Sequence, residues 1–318
     1  MEKIQLKNYR HLPAKLIFNP SAGAARGKPI GILEVIHEMQ AWNLVPEVFI
    51  IEPGCDLPKA IRNALKIGIR LFVVCGGDGT ISEVASLLAG TKGILGIIPI
   101  GTQNNTALSL SIPNDIPAAV AILRTGKRIK VDMGEATCGK VVTPFLEVCS
   151  VGLASTLFPA ADDINHGNLG KIGEFLTILA ATPPAEITLL LDNKKKITNL
   201  GHIILVSNMP IVGVHFQLAG PASYYDGYLD VLFFADLTKM DLLTYVIQGV
   251  GVGYPEDARI QHYKVRKVDI NANPHMPVMA DGNALGERPV KIKILRRALV
   301  VMVANPEIEP VGLRAEIL

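Results

Sequence analysis

Cysteine is scarce: Cys55, Cys75, Cys138 and Cys149 are the full set, and no two form a CxxC pair. Neither a disulfide framework nor a thiolate zinc site is expected, and a reducing cytoplasm fits this usage best. Net charge is also scarce, +2 over 318 residues, which gives no reason to expect nucleic-acid binding. The one tight basic cluster, Lys194, Lys195 and Lys196, lacks interleaved aromatics and reads as a solvated hairpin turn. Long apolar runs are missing too. VVTPFLEVCSVGLASTLFPAA is interrupted by Glu147 and prolines, and GHIILVSNMPIVGV is too short for the roughly 30 Å of a bilayer core. MEKIQLKNYRHLPAK lacks the apolar centre of a signal peptide. No transmembrane segment is expected, and any membrane contact is expected to be peripheral. None of the seven histidines stands in an HExxH spacing, and there is no GxSxG nucleophile elbow.

What is present describes a folded chain with a large core: 49% hydrophobic and 19% charged residues, with 29 Gly and 21 Pro. At roughly 100 to 200 residues per domain, two domains are expected. The first part alternates strand-like and helix-like segments: KLIFNP, ILEVIHEMQAW, VPEVFII, DLPKAIRNALKIG, RLFVVC, a helix from Thr80, LGIIPI, and a helix opening near Asn104. Such alternation predicts a parallel sheet covered by helices. Asp56 is placed to cap one helix, with Pro58 in its first turn, and Thr80 another, with Glu83 at capping-box spacing. Near RIKVDMGEA the texture turns β-rich, and a boundary is expected near Val131. That gives an α/β domain over 1–131 and a β-rich domain over 132–304, with the tail 305–318 packing back on the first. ITLLLDNKKKITNL predicts a hairpin turning at Asp192 and Asn193. LGKIGEFLTILAA and LTKMDLLTYVIQG read as helical insertions, and KIKILRRALVVMVAN as the final strand.

Three loops carry the chemistry. GGDGT, Gly76 to Thr80, stands between an apolar strand and a helix, where open α/β sheets bind ligands. Its glycines let backbone N–H groups approach a phosphate, and the following helix start adds partial positive charge. Asp78 would repel a bare phosphate, so it is expected to act through a metal ion or a tight loop hydrogen bond. NPSAGAARGKP and GTQNNTALSL also follow strands and supply small residues, hydroxyls and a helix start. Each alone is ordinary turn chemistry; three at one sheet edge predict a nucleotide cleft.

NPSAG, GGDGT and GTxN, in this order and at about these separations, resemble the diacylglycerol kinase catalytic-domain family, lipid kinases that include sphingosine and ceramide kinases. PASYYDGYLDV and ADGN resemble two later motifs, so the likeness spans roughly residues 15–297. It implies an α/β N-terminal domain with an NAD kinase- or phosphofructokinase-like parallel sheet, and a β-rich, sandwich-like C-terminal domain for the lipid. ATP would be held by Asn19, Ser21, Gly76, Gly77, Asp78, Gly79, Thr80, Gly101, Thr102 and Asn104. Asp226, with the carbonyls of Ser223 and Tyr228, matches a Mg2+ site of bacterial members, although a DG turn before a strand would look the same. The acceptor implied is a lipid hydroxyl at the membrane surface, with diacylglycerol as default. A homodimer is left open.

The departures matter as much. Gln103 and Asn105 stand where GTGND is usual, Ser82 where Asn is common, and Asn283 replaces the glutamate of a DGE motif regarded as general base. An amide cannot accept a proton as a carboxylate does. Asp281 and Glu287 are the neighbouring carboxylates, and Asp281 is the preferred stand-in, though it also reads as a turn residue beside Gly282. Two further readings stay open: a non-catalytic nucleotide- or lipid-binding protein of the same descent, and an NAD kinase, which shares GGDGT but not the other motifs.

Overall fold

The computed structural model describes residues 10–23, 31–155, 177, 182–212, 216–217, 223–241, 257 and 259–305. Both expected helical insertions fall largely outside these residues, as does the tail beyond 305. The chain divides into two compact units, the first comprising residues up to Val131 and again from Ala298, the second Asp132–Arg297.

Unit 1 is the α/β unit. Its strands β1 (Leu12–Phe18), β2 (Leu44–Ile50), β3 (Leu71–Gly76) and β4 (Ile94–Pro99) alternate with helices α1 (Ile32–Ala41), α2 (Leu57–Lys66) and α3 (Asp78–Leu88), followed by α4 (Asn105–Ser109) and α5 (Ile116–Thr125). The strands pair in parallel in the order β2-β1-β3-β4. β3 and β4 are buried along their whole length, which is why LFVVCG and ILGIIP are nearly continuous apolar runs rather than alternating ones. The helix starts follow local chemistry: Asp56 accepts the N–H of Lys59 at 2.8 Å and Asp115 that of Ala118 at 3.0 Å. The helix expected from Asn104 is two helices, because Pro113 and the Asp115 cap open a second start.

Unit 2 is β-rich. β5 (Lys127–Cys138) enters it and pairs with β6 (Val141–Phe145). β7 (Val148–Gly152), β8 (Ala185–Leu191) and β9 (Lys195–Ser207) follow, with the two-residue strands β10 (Ile211–Val212) and β11 (Phe216–Gln217) forming a separate ladder. Next come β12 (Leu229–Ala235), β13 (Ile260–Val265), β14 (Lys267–Asn273), β15 (Val278–Ala280) and β16 (Asn283–Gly286). β17 (Val290–Val303) closes the set: residues 290–293 pair antiparallel with β14, and Val300 and Val301 pair parallel with β4 of unit 1. The return to unit 1 thus starts at Ala298, earlier than the sequence boundary at 304, because one unbroken 14-residue strand runs through it. The β8–β9 hairpin turns at Asp192 and Asn193, both left-handed at φ 50° and 57°. Inward residues of the strands, among them Phe145, Ile187, Leu189, Val231 and Phe233, form one buried cluster.

Candidate functional site

In unit 1 the chain runs from β1 out to β2, then back past β1 to β3. The β1–β3 pair is therefore the switch point of the sheet, and its carboxyl ends are where open α/β sheets take ligands. NPSAG leaves from β1, GGDGT from β3 and GTQNN from β4. The loops are stitched together: Asn19 N–H donates to the Cys75 carbonyl at 3.0 Å, and Ile100 N–H to that of Gly76 at 3.1 Å. Asn19 Nδ2 donates to Thr80 Oγ1 at 2.8 Å, while its Oδ1 accepts the N–H of Ser21 at 3.0 Å. Gly77 and Gly101 lie face to face. A Cβ on Gly101 would sit 2.5 Å from the Gly77 Cα, so two loops can approach this closely only with glycine at both positions.

Helix α3 opens at Asp78 with Gly77 at its N-cap. Thr80, expected as the cap, instead lies in the first turn, and its hydroxyl serves Asn19. Of the two roles the sequence left to Asp78, the structure shows the loop hydrogen bond. Its carboxylate oxygens accept the N–H groups of Asn105 and Thr106, each at 3.1 Å, at the start of α4. Asn104 just before is left-handed, φ 54°, and fully buried. Its Nδ2 donates to Asn114 Oδ1 at 3.0 Å, whereas its own Oδ1 is buried without a hydrogen-bond partner. Thr102 is half-buried and Gly79 exposed on the same loops. Beneath them Cys75 is inert packing: burial, then the Glu34 carboxylate, push its thiol up to about 12.

Unit 2 carries the remaining candidates. Asp281, φ 42°, and Gly282 form the turn between β15 and β16. The Asp281 carboxylate accepts three backbone N–H groups, from Leu146 at 2.5 Å, Glu147 at 3.0 Å and Val148 at 2.9 Å, and its own N–H donates to the Val148 carbonyl at 3.0 Å. Preferred from sequence as stand-in base, Asp281 is a fastener here, because a proton would have to displace bonds that hold the 146–148 segment. Asn283 is exposed, with its Nδ2 3.3 Å from the Asp281 carbonyl. Glu287 follows four residues on, past the extended β16. It is exposed, in the bend just after the end of that strand.

Two participants escaped the sequence reading. Asp132 is 1% exposed, and its carboxylate accepts the N–H of Gly227 at 2.7 Å and of Arg297 at 2.6 Å. Asn208, also buried, donates through Nδ2 to the carbonyls of Asp132 at 2.8 Å and Leu146 at 3.0 Å. Together they tie the 223–228 turn to the segment that Asp281 grips. The available signal was a carboxylate set in the apolar run VDMG.

The expected Mg2+ set does not fit a divalent ion. Asp226 Oδ1 accepts the N–H of Tyr228 at 3.0 Å, and Oδ2 meets the Lys264 ammonium at 2.7 Å. The Ser223 carbonyl faces the N–H of Asp226 at 3.5 Å. Among the described residues no three His, Cys, Asp or Glu side chains gather into a metal site. Burial opposes the charge on Lys264, but its hydrogen bond to Asp226 and the nearby Asp230 outweigh that and hold the ammonium above its ordinary value.

Residues 13–136 match the family model described as diacylglycerol kinase catalytic domain, and residues 155–303 that described as YegS C-terminal NAD kinase beta sandwich-like domain. A Bacillus subtilis protein named diacylglycerol kinase is 24% identical over 302 residues, covering 93% of this chain and 98% of that one. The crystal structure of a diacylglycerol kinase from Bacillus anthracis superposes with a TM-score of 0.70 at 20% identity, covering 93% of this chain and 97% of the other. An NAD kinase from Archaeoglobus fulgidus, solved with ATP, shares the fold more loosely, TM-score 0.50 at 14% identity over 92% of this chain and 93% of its own. With its stitched strand-end loops and the two matches that together span most of its length, the chain belongs to the diacylglycerol kinase catalytic-domain family.

Proposed function

We propose that this protein is an ATP-dependent lipid kinase, with MgATP as phosphoryl donor and diacylglycerol as the default acceptor at a membrane surface. The observation that carries the reading is the convergence of three strand-end loops on the switch point of unit 1, with α3 opening between them. Backbone N–H groups at such a helix start suit the anionic phosphates. Asn19, Ser21 and Thr80 supply the polar side chains of the first two loops, and Gly77 with Gly101 keeps their backbones accessible. In the reaction the lipid hydroxyl oxygen bonds to the γ-phosphorus, the bond to the bridging β–γ oxygen breaks, and ADP leaves. The hydroxyl proton passes to solvent or to a phosphate oxygen, since Asn283 cannot take it. Phosphoryl transfer leans on positioning and charge stabilisation, which leaves a rate of this kind attainable, at a cost of about 10²–10⁴ for the missing general base.

A second reading has its own observation. With Asn283 an amide and Asp281 fastened to three N–H groups, the chain also suits nucleotide or lipid binding without turnover. One experiment separates the two: transfer of labelled γ-phosphate from MgATP into a mixed lipid extract by the native chain, by Gly101→Val and by Asn283→Glu. Label in lipid with the native chain, lost in Gly101→Val, supports the kinase. Label only with Asn283→Glu supports the binding protein. No label with either, together with no binding of ATP or of lipid, removes both.

A further inference from the structure

A cation is already in place at the 223–228 turn of unit 2. β12 and β13 run antiparallel with Asp230 directly opposite Lys264, so strand register brings that lysine to the turn. Its ammonium lies 2.7 Å from Asp226 Oδ2 and 3.8 Å from Asp230 Oδ1. Asp230 is 2% exposed and also meets His262 Nε2 at 2.7 Å. Arg266 lies over the Tyr228 ring, 5.0 Å from its centre, and donates to its hydroxyl at 3.3 Å. His262 and Lys264 alternate along β13 and share one face, and Arg266 follows just past its end, so basic groups line the acidic turn.

A divalent ion such as Mg2+ needs about six oxygens near 2.0–2.1 Å. Here both oxygens of the one carboxylate in the expected ligand set are engaged, Oδ1 by the Tyr228 N–H and Oδ2 by the Lys264 ammonium. We propose that Lys264 is the resident cation of this turn, taking the place of a divalent ion, so that unit 2 holds its 223–228 segment without metal. The inference is independent of the kinase reading: any Mg2+ the protein requires would then arrive with the nucleotide.

The test is thermal unfolding of the full chain without nucleotide, in EDTA and in millimolar Mg2+ or Ca2+. The native chain is expected to give the same Tm in both. Lys264→Met, which keeps the aliphatic stem, is expected to fall by about 2–4 °C in EDTA and to recover with either cation. Adding Asp226→Asn to it should abolish the recovery. Lys264→Arg keeps the charge and covers the case in which Lys264→Met does not fold; it should be as indifferent to cations as the native chain. A native Tm raised by Mg2+ and made insensitive by Asp226→Asn overturns the proposal, as does a folded Lys264→Met that no cation stabilises, or a Lys264→Arg that gains Tm from Mg2+.

Discussion

GGDGT in unit 1 and ADGN in unit 2 each place an aspartate beside a glycine at a strand end, and each spends the carboxylate on backbone N–H groups of a neighbouring segment. What surrounds them differs. Around Asp78 the loops are built from glycines, a helix start and main-chain bonds between strand ends. Around Asp281 the 146–148 segment, Asn208, Asp132 and the 223–228 turn are linked through buried side chains. On the proposed kinase reading the first arrangement is a backbone surface offered to a ligand, while the second is a set of fasteners. Glycine substitutions should therefore damage binding in unit 1, and carboxylate removal should damage stability in unit 2.

The largest effect is expected where that difference is sharpest. Gly101→Val drives a side chain into Gly77, costing about 1–3 kcal/mol of stability. ATP affinity measured by calorimetry should fall about tenfold or more, which is 1.4 kcal/mol or more of binding free energy. Asp281→Ala leaves three N–H groups without their charged acceptor, and chemical denaturation should show a loss of about 3 kcal/mol while ATP affinity stays near native. An ATP affinity that falls in step would break the comparison. Asp78→Ala removes the α4 cap, at about 1 kcal/mol, and its effect on ATP affinity should be smaller than that of Gly101→Val. If it is larger, Asp78 touches the nucleotide directly.

The smallest effect concerns His202 in β9, whose imidazole burial, and then Lys239, hold below its ordinary 6.5. The unfolded chain takes up this proton more readily than the folded one. Stability present above about pH 6.5 should thus decline as pH falls below it. Tm against pH for the native chain and for His202→Gln should differ in that window, with the variant flatter.

Unit 1 was legible in the sequence because its information is local. Buried parallel strands are apolar runs, the helices start at Asp56 and at GGDGT, and glycines mark strand ends. The errors were local too: Thr80 carries the composition of a cap, but Gly77 three residues earlier already turns the chain, and the hydroxyl is taken by Asn19 from a distant strand. Unit 2 was legible as β-rich, and its β8–β9 turn was placed at the right residues. The uses of its carboxylates were not. Asp281 grips residues more than 130 positions away and Asp132 one 165 away, and a single sequence has no periodicity that reports such pairings. The position of Lys264 came from the β12–β13 register, which the spacing of charges does not reveal.

The division of the chain also sets an order of synthesis. Unit 2 is complete at Arg297, but unit 1 takes its last strand from Ala298 onward, the stretch that pairs with β4. Domains generally fold as units, N-terminal first, as a chain is made. Here the first unit to begin is the last to finish: the nascent chain must carry its parallel sheet short of the β17 strand beside β4 until all of unit 2 has been made.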